Sequence, residues 1–597
     1  MKTNTSLAKK LLLSLFAILL PLLARAQVMI NGVYYNLDQD TKQAEVTKGS
    51  TKYAYSVTIP AVVSYEDVDY NVTSIGDWAF DYCGNLKSIT IPESVTKIGK
   101  DAFRDCKNLT AVHINSVENW CNISFDNSAA NPLDCAKNLY LNNKLVTNLI
   151  IPEGVTSISN HAFRYCSSIN SINIPESVTS IGDRAFVQCT NLLTINLPEN
   201  SQLTSIGSGA FSGCRQLIEI NIPRGVTYIG ESAFSGCSRF VSINIPEGVT
   251  SIGGSTFSGC DRLVSIYLPN SITSIGESAF FDCSKLYSII IPESVTSIGE
   301  KAFYCCEELK RITFSNKIRE IKDYTFYKCY ALDSITLPEG MVSIGNYAFS
   351  DCSNLTSIVI PKTTKQIEKY SFADCIRLKT ITITSDLELI GQVAFQNCEE
   401  LSDVYCYAMS IPVLSYNSFK GAYPESATLH VPATLLDDYK NNSSWNVFGS
   451  IVPIEAKVEN ITLNLSKVEL VENKQLLLST TIYPEYATET SVSWSSSNPS
   501  VASVDNTGTI TAVAPGTATI TAMANDGSGV KASCEVTVTP ANYVITFLID
   551  GEVFLTDTLT RGTAITLPEA PTKEGHTFSG WGEVPETMPA EDLTISG

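Results

Sequence analysis

Thirteen cysteines keep one clock in this sequence: Cys83, Cys106, Cys166, Cys189, Cys214, Cys237, Cys260, Cys283, Cys306, Cys329, Cys352, Cys375 and Cys398 each stand three residues after a phenylalanine. A thiol can bridge, bind metal or attack a substrate, so these are the first residues to examine for chemistry. Their spacing argues against a bridge or a metal site. Side chains that recur once per stacked coil have parallel Cβ vectors, whereas a disulfide needs them aimed at each other. No C-x-x-C pair and no cysteine–histidine cluster supports zinc. The expectation is a row of small buried thiols. If a bridge forms, Cys121 and Cys135, which lie off the clock, are its candidates.

Other chemistry is equally thin. The four histidines, His113, His161, His430 and His576, are far apart, and no G-x-S-x-G, H-E-x-x-H or P-loop motif occurs. His113 and His430 read as the same exposed strand position near opposite ends of a repeat array, so they cannot share a site. Glu93, Glu153, Glu176, Glu199, Glu247, Glu293 and Glu339 follow the repeat proline, one carboxylate per unit. Calcium needs about 6–8 oxygens around one ion, so this is read as a solvated stripe. No catalytic residue, metal or cofactor is expected. With 41 basic and 61 acidic residues the net charge is −20, and no basic cluster follows the first ten residues. Nucleic acid, which demands a basic stripe, is not an expected partner.

What positions these residues is a repeat. Phenylalanines recur from Phe80 to Phe419, mostly at steps of 23, with a step of 25 to Phe211 and of 60 between Phe103 and Phe163. A clean unit runs from Leu286 to Glu308 and fixes Leu286, Ile289, Ile291, Pro292, Val295, Ile298, Gly299, Ala302, Phe303 and Cys306. A period between 20 and 29 with L-x-x-L-x-L spacing is the mark of a leucine-rich repeat. Ile289 and Ile291 face one side of a strand, and Pro292 ends it. Val295 to Ile298 is a second extended piece, Gly299 is expected to supply a tight bend, and Ala302 and Phe303 turn inward. One coil cannot bury its apolar face alone, so the coils must stack.

Units such as Ile174-Pro175-Glu176-Ser177-Val178-Thr179-Ser180-Ile181-Gly182, repeated from Leu86 to Phe419, resemble the BspA-like class of leucine-rich repeats in bacterial surface antigens. Val28 to Tyr70 is similar to the β-rich cap of that class, Leu429 to Trp445 to its closing cap, and Trp120 to Leu141 to an enlarged repeat. The resemblance implies secretion or surface display, and some members of the class bind host matrix proteins such as fibronectin or fibrinogen.

After Ile454 the period stops. Trp494-Ser495-Ser496-Ser497-Asn498-Pro499, Val501 to Asp505 and Ala514-Pro515-Gly516-Thr517-Ala518 resemble a bacterial Ig-like group 2 domain, with Trp494 as its core aromatic. Cys534 has no partner in that module. Val544-Ile545-Thr546-Phe547 and Gly575-His576-Thr577-Phe578-Ser579-Gly580-Trp581 resemble the internalin B-repeat type of small β module, in which a further strand would be expected after Ser596-Gly597. At the other end, Lys9 and Lys10 precede the apolar run Leu11 to Leu23 and the small-residue site Ala24-Arg25-Ala26, the pattern of a cleaved export signal. No later run is long enough to span a membrane.

The expected architecture is therefore mainly β. A signal peptide (1–26) and an N-terminal β cap (27–72) precede a leucine-rich-repeat solenoid with short helical turns and a C-terminal cap (73–455). An Ig-like β-sandwich (456–540) and a small β module (541–597), read as truncated, follow.

Two surface rows remain. Thr73, Thr156, Thr179, Thr204, Thr250, Thr273 and Thr296 could form a flat array of the ice-binding kind, but threonine also simply suits an exposed strand. The outward residue between the two strand isoleucines reads Thr90, His113, Ile150, Asn173, Asn196, Asn221, Asn244, Tyr267, Ile290, Thr313, Thr336, Val359, Thr382, Tyr405 and His430. Four asparagines are unusual on strands. They either bond one another along the stack or offer donors and acceptors to a ligand. The candidate ligand-binding residues are Asn173, Asn196, Asn221, Asn244 and Tyr267. The expected function is an exported, non-catalytic adhesion protein with a protein ligand. The alternative is a glycan-binding or nutrient-capture surface protein.

Overall fold

The computed structural model describes residues 25–384 and 387–597, and the chain is mainly β. Two compact units form: one runs through Leu429 and includes Ser443–Ser450, the other holds His430–Asn442 and Ile451–Gly597. The export signal expected at 1–26 lies outside the described residues except for Arg25 and Ala26, at the start of the first strand, Arg25–Ile30.

In the first unit, Arg25–Ile30, Val33–Asp38 and Gln43–Val46 make an antiparallel meander. Gln43–Val46 then pairs in parallel with Val68–Ile75, which pairs with Lys97–Ile98. Ala54–Thr58 pairs in parallel with Asn85–Thr90. The first two sheets of the solenoid thus begin inside the cap, with Arg25–Ile30 and Ala54–Thr58 as their outer strands.

A regular coil has three sides. The first is a short strand such as Ser288–Ile290, in register with Arg311–Thr313 of the next coil. The second is a two-residue strand, Ser297–Ile298, paired with Ser274–Ile275 of the coil before. The third was expected to contain a glycine bend and a helical turn, and it is neither. Lys301 and Cys305 both take left-handed backbone angles (φ 54° and 56°), as do their equivalents Tyr324 and Lys328, Tyr347 and Asp351. Each such residue costs about 1–2 kcal/mol. The alternation sends the N–H groups of Lys301, Phe303 and Cys305 to the carbonyls of Asp323, Thr325 and Tyr327 in the next coil. Those of Ala302, Tyr304 and Cys306 bond back within the turn, to Gly299, Lys301 and Phe303. This third ladder offsets the strain and turns Ala302, Phe303 and Cys306 into the core, all 0% exposed.

Gly299 has a different role from the one expected. Its φ is not in the left-handed region, and a Cβ there would lie 2.4 Å from the backbone nitrogen of Glu277 in the preceding coil. Gly276 and Gly230 show the same approach to the backbone of the coil before, at 2.6 and 2.4 Å. At these glycines two backbones meet closely, whereas the equivalent positions of other coils hold Ser159, Lys322 and Glu368.

The core is a ladder of parallel phenylalanine rings. From Phe163 to Phe419 successive centroids are 5.2–5.9 Å apart and the planes within 13° of parallel. Phe80 and Phe103 form a separate pair at 4.8 Å. Between them sits the enlarged repeat. Ser116 caps the helix Val117–Asn122 through the Asn119 N–H at 3.2 Å, and Trp120, 1% exposed, donates its indole N–H to the Ala162 carbonyl at 2.8 Å. Leu139–Leu141 pairs with Ala111–Ile114, placing Tyr140 opposite His113, and a new sheet starts at Asn148–Ile150. The outward row therefore includes Tyr140, which the repeat alignment skipped. At the far end Trp445 is fully buried, stacks with Phe448 and donates to the Pro412 carbonyl at 2.8 Å.

In the second unit, Lys467–Val471, Lys531–Thr539, Gly516–Ala524 and Val492–Ser496 form one sheet and Gln475–Leu477, Thr509–Ala512 and Ala502–Val504 another. Trp494 packs against the shared core, and Gly508 (φ +87°) lies directly over its ring. Cys534 is a free buried thiol. The terminal module pairs Asn542–Ile549 with Glu552–Thr560 and, on its other side, with Leu593–Ser596 in parallel. Trp581 packs edge-on against Phe547 at 5.0 Å.

Candidate functional site

The residues with chemical potential are occupied by the fold. All 18 cysteines are free, Cys121 and Cys135 included, so the bridge considered for that pair is absent. Apart from Cys83, which turns to the Asp81 carbonyl, and Cys166, which pairs with the Ser168 hydroxyl, each ladder thiol donates to the carbonyl of the phenylalanine one coil back: Cys306 to Phe280 at 3.2 Å, Cys329 to Phe303 at 3.3 Å. Cys135 does the same to Phe103 at 3.7 Å, so it belongs to the ladder, whose period the enlarged repeat had masked. Burial pushes the thiols up, to about 11 at Cys166 and about 12 at Cys121, which removes the nucleophilic thiolate at neutral pH. A thiol reagent at pH 8 should therefore leave the ladder untouched, with half-buried Cys305 reacting first. All 18 should appear on unfolding without reductant. Thiols that need reductant to appear would contradict this arrangement.

The enlarged repeat does gather charged groups that are dispersed in the sequence. Arg164, 8% exposed, pairs with Asp134 and donates to the His161 ring nitrogen at 3.1 Å. Burial and the Arg164 charge push His161 down to about 4, so the ring is neutral and accepts that bond. The Lys137 ammonium sits 3.9 Å from the centre of the Tyr165 ring. Asn131, fully buried, donates to the His161 and Ala162 carbonyls at 2.8 and 2.9 Å. Every one of these groups is spent on a neighbour, and the cluster fastens the enlarged repeat to the next coil.

The threonine row is also accounted for. Thr179 donates to the Thr156 carbonyl at 2.9 Å, Thr204 to Thr179 at 3.0 Å and Thr273 to Thr250 at 3.0 Å, so these hydroxyl protons serve the stack and not a ligand. An aromatic corner that sequence reading missed behaves similarly. Tyr324, Tyr347 and Tyr370 stack at 4.7 and 4.5 Å, beside Phe281, Tyr304 and Tyr327 at 4.7 and 4.8 Å. Their ring faces cover one another, leaving edges and hydroxyls in place of the open faces a sugar ring would stack on.

The strand face is different. Asn196 donates to Asn173, and Asn173 to Asn148 at 3.5 Å, so the asparagine ladder exists at that end. Among the described residues Asn221 and Asn244 make no such bond, and Tyr267 is 59% exposed. Asn221 is not on a strand either. The two extra residues of the preceding coil, between Pro198 and Leu203, shift the backbone, and the sheet through Thr194–Asn196 ends before a new one starts at Ser242–Asn244. Beside this row lies a second one: Leu193, Ile218, Val241, Val264 and Tyr287, in five consecutive coils, each between 39% and 49% exposed. Ile290, 71% exposed, continues the patch from the outward row. The signal was in the sequence. The residue after the buried coil leucine or its equivalent is polar in the other coils, as at Lys87, Thr110, Asn170, Lys310, Asp333, Thr356, Lys379 and Ser402, and apolar only here.

Among the described residues no group of three or more histidine, cysteine, aspartate or glutamate side chains could hold a metal, and no helix is long and apolar enough to cross a membrane. The chain matches the BspA type leucine rich repeat region over 63–145, 134–263, 204–332 and 319–443. It matches the bacterial Ig-like domain (group 2) over 457–536 and the Listeria-Bacteroides repeat domain over 543–590. None of these three is a catalytic family. A leucine-rich repeat protein from Bacteroides ovatus is similar at 27% identity and a TM-score of 0.46, covering 68% of this chain and 100% of its own. A leucine rich cell surface protein from Faecalibacterium prausnitzii is similar at 31% identity and a TM-score of 0.42, covering 60% of this chain and 95% of its own. An uncharacterised protein of Clostridium acetobutylicum is 31% identical over 137 residues, 23% of this chain and 34% of that protein. The chain spans about a third or less of the curated relatives it matches. With repeats matched across more than half its length, the chain belongs to the BspA-type leucine-rich repeat family of surface proteins.

Proposed function

We propose that this chain is an exported, surface-displayed binding protein that holds a protein ligand on the strand face of the coils from Leu193 to Ile290. The observation that carries this reading is the unbroken exposed apolar row of Leu193, Ile218, Val241, Val264 and Tyr287. Soluble proteins rarely leave such a run open unless something docks on it. Tyr267 adds the kind of aromatic anchor that dominates protein interfaces, and Asn221 and Asn244 add free donors and acceptors at its edge. Asn173 and Asn196, already bonded to each other, form the rim. The Ig-like and terminal modules act as spacers. On this reading the chain divides at 27–72, 73–455, 456–540 and 541–597, behind a leader cleaved after Ala26. Extracellular matrix proteins such as fibronectin and fibrinogen are the ligands to try first.

An array of purified matrix proteins and glycans, probed with the full chain, separates this from glycan capture. Retention by a protein spot is expected. The triple variant Asn221→Ala, Asn244→Ala, Tyr267→Ala should weaken it at least about tenfold, the scale of one interface hot spot, without changing the melting temperature. Glycan-only retention, or undiminished binding by the variant, would overturn the reading.

A further inference from the structure

The apolar row has a charged edge. Two residues before its last four members, across one buried core residue, stand Gln216, Arg239, Arg262 and Lys285, with Asn191 before Leu193. These residues lie in the turn that leads into each strand, closed by bonds such as Phe240 N–H to the Cys237 carbonyl, so the charged row borders the apolar row one buried residue away. Arg215 stands next to Gln216 at the same edge. Among the described residues Arg215, Arg239 and Arg262 have no carboxylate partner: Arg239 donates only to the Gln216 side-chain oxygen at 2.7 Å, while Lys285 pairs with Glu308 at 2.5 Å. In a chain of net charge −20, three guanidinium groups without a carboxylate partner stand in three successive coils beside an apolar row, with Glu219 and Asp261 as the exposed acids among them.

We propose that the ligand of this face is an acidic protein segment with apolar anchors, lying across the coils in an extended form. Its apolar side chains rest on Ile218, Val241, Val264 and Tyr287, and its carboxylates meet Arg215, Arg239 and Arg262. Guanidinium groups favour this chemistry because their planar forks bind carboxylates in pairs of hydrogen bonds. Stacked strands are about 4.8 Å apart, so the five coils span roughly 20 Å, the length of about six extended residues. The docked segment is therefore short and reads as alternating acidic and apolar residues. This proposal rests on the reading of the strand face given above and adds the chemistry of the partner.

The test uses the full chain and fluorescent peptides of alternating aspartate and leucine, read by anisotropy. One control peptide has lysine for aspartate and another has serine for leucine. Vesicles of phosphatidylglycerol and the polyanion heparin are the remaining arms. The aspartate–leucine peptide should bind at least tenfold more tightly than either control, and added salt should weaken it. Arg239→Glu with Arg262→Glu should lower its affinity at least tenfold while the melting temperature stays fixed. Equal binding of the lysine peptide, no peptide binding, or no effect of the charge reversal would overturn the proposal. Tighter binding to vesicles or heparin, lost in the same variant, would overturn it in favour of a different polyanion. The exposed pair Val241→Asp, Val264→Asp separates the two claims. If matrix-protein capture survives that change, the strand-face reading itself fails. If capture is lost while the peptides never discriminated by charge, only the acidic assignment fails.

Discussion

Replacing Phe303 with alanine is expected to cost the solenoid about 3–5 kcal/mol, the range for deleting a buried aromatic ring. Phe303 is fully buried between Phe280 at 5.3 Å and Phe326 at 5.4 Å, with nearly parallel planes. The loss has two parts: the transfer free energy of the ring, and the cavity left when backbone ladders on all three sides hold the coils apart. Because each coil touches only its neighbours, the damage stays local in structure but divides the array in two. Denaturant unfolding should then split into two transitions, and limited proteolysis should cut near the substituted coil first. Phe303→Leu, which keeps most of the volume, should cost much less. A loss under about 1 kcal/mol for the alanine variant would mean that the ladder is not what binds the coils together.

The second large effect comes from adding an atom. Gly299→Ala would place a Cβ 2.4 Å from the Glu277 backbone nitrogen and 2.5 Å from the Gly276 carbonyl carbon. Neither neighbour is a side chain, so nothing can swing aside. The two backbones must shift locally, to the arrangement that admits Lys322 and Glu368 at the equivalent position of other coils. Overpacking of this kind costs about 1–3 kcal/mol. Gly84→Ala is the matched control, since a Cβ there meets nothing within 4 Å and its φ is not left-handed. Equal melting temperatures for the two variants would contradict the close-approach account. If a bend requirement were the cause, Gly299→Asn, which tolerates left-handed angles, would restore stability. Here it should be as harmful as alanine or worse.

The coil was legible in the sequence because its period exposes which residues point inward. Ile289, Ile291, Val295, Ile298, Phe303 and Cys306 are all buried as their spacing requires. The turn was not legible. Lys301 and Cys305 are not residues that advertise left-handed angles, and they hold them only because the next coil supplies partners for their N–H groups. That dependence is tertiary, and no local pattern carries it. Gly299 was misread for the same reason: glycine signals both a left-handed bend and a close approach, and only the position of the neighbouring coil separates them. Cys135 was hidden by the irregular length of the enlarged repeat. Tyr140, opposite His113, was hidden in the same way.

Of the candidate site, the asparagine-to-tyrosine row was visible because it breaks strand propensity. The apolar row beside it was not noticed, since Val241 and Val264 look like core residues until the coil fixes which way each position faces. Asn173 and Asn196 proved to bond each other, whereas Asn221 lies where the sheet is interrupted. The mutual-bonding explanation weighed for that row thus holds for Asn173 and Asn196.

The most direct measurement of the central claim is backbone amide exchange of the full chain, with and without a matrix protein that it retains on the array. Slower exchange is expected at 193–196, 218–221, 241–244, 264–267 and 287–290, with the Tyr324–Tyr370 corner and the Ig-like module unchanged. Protection in the enlarged repeat or the Ig-like module, with those five segments unaltered, would contradict the assignment of binding to the central strand face.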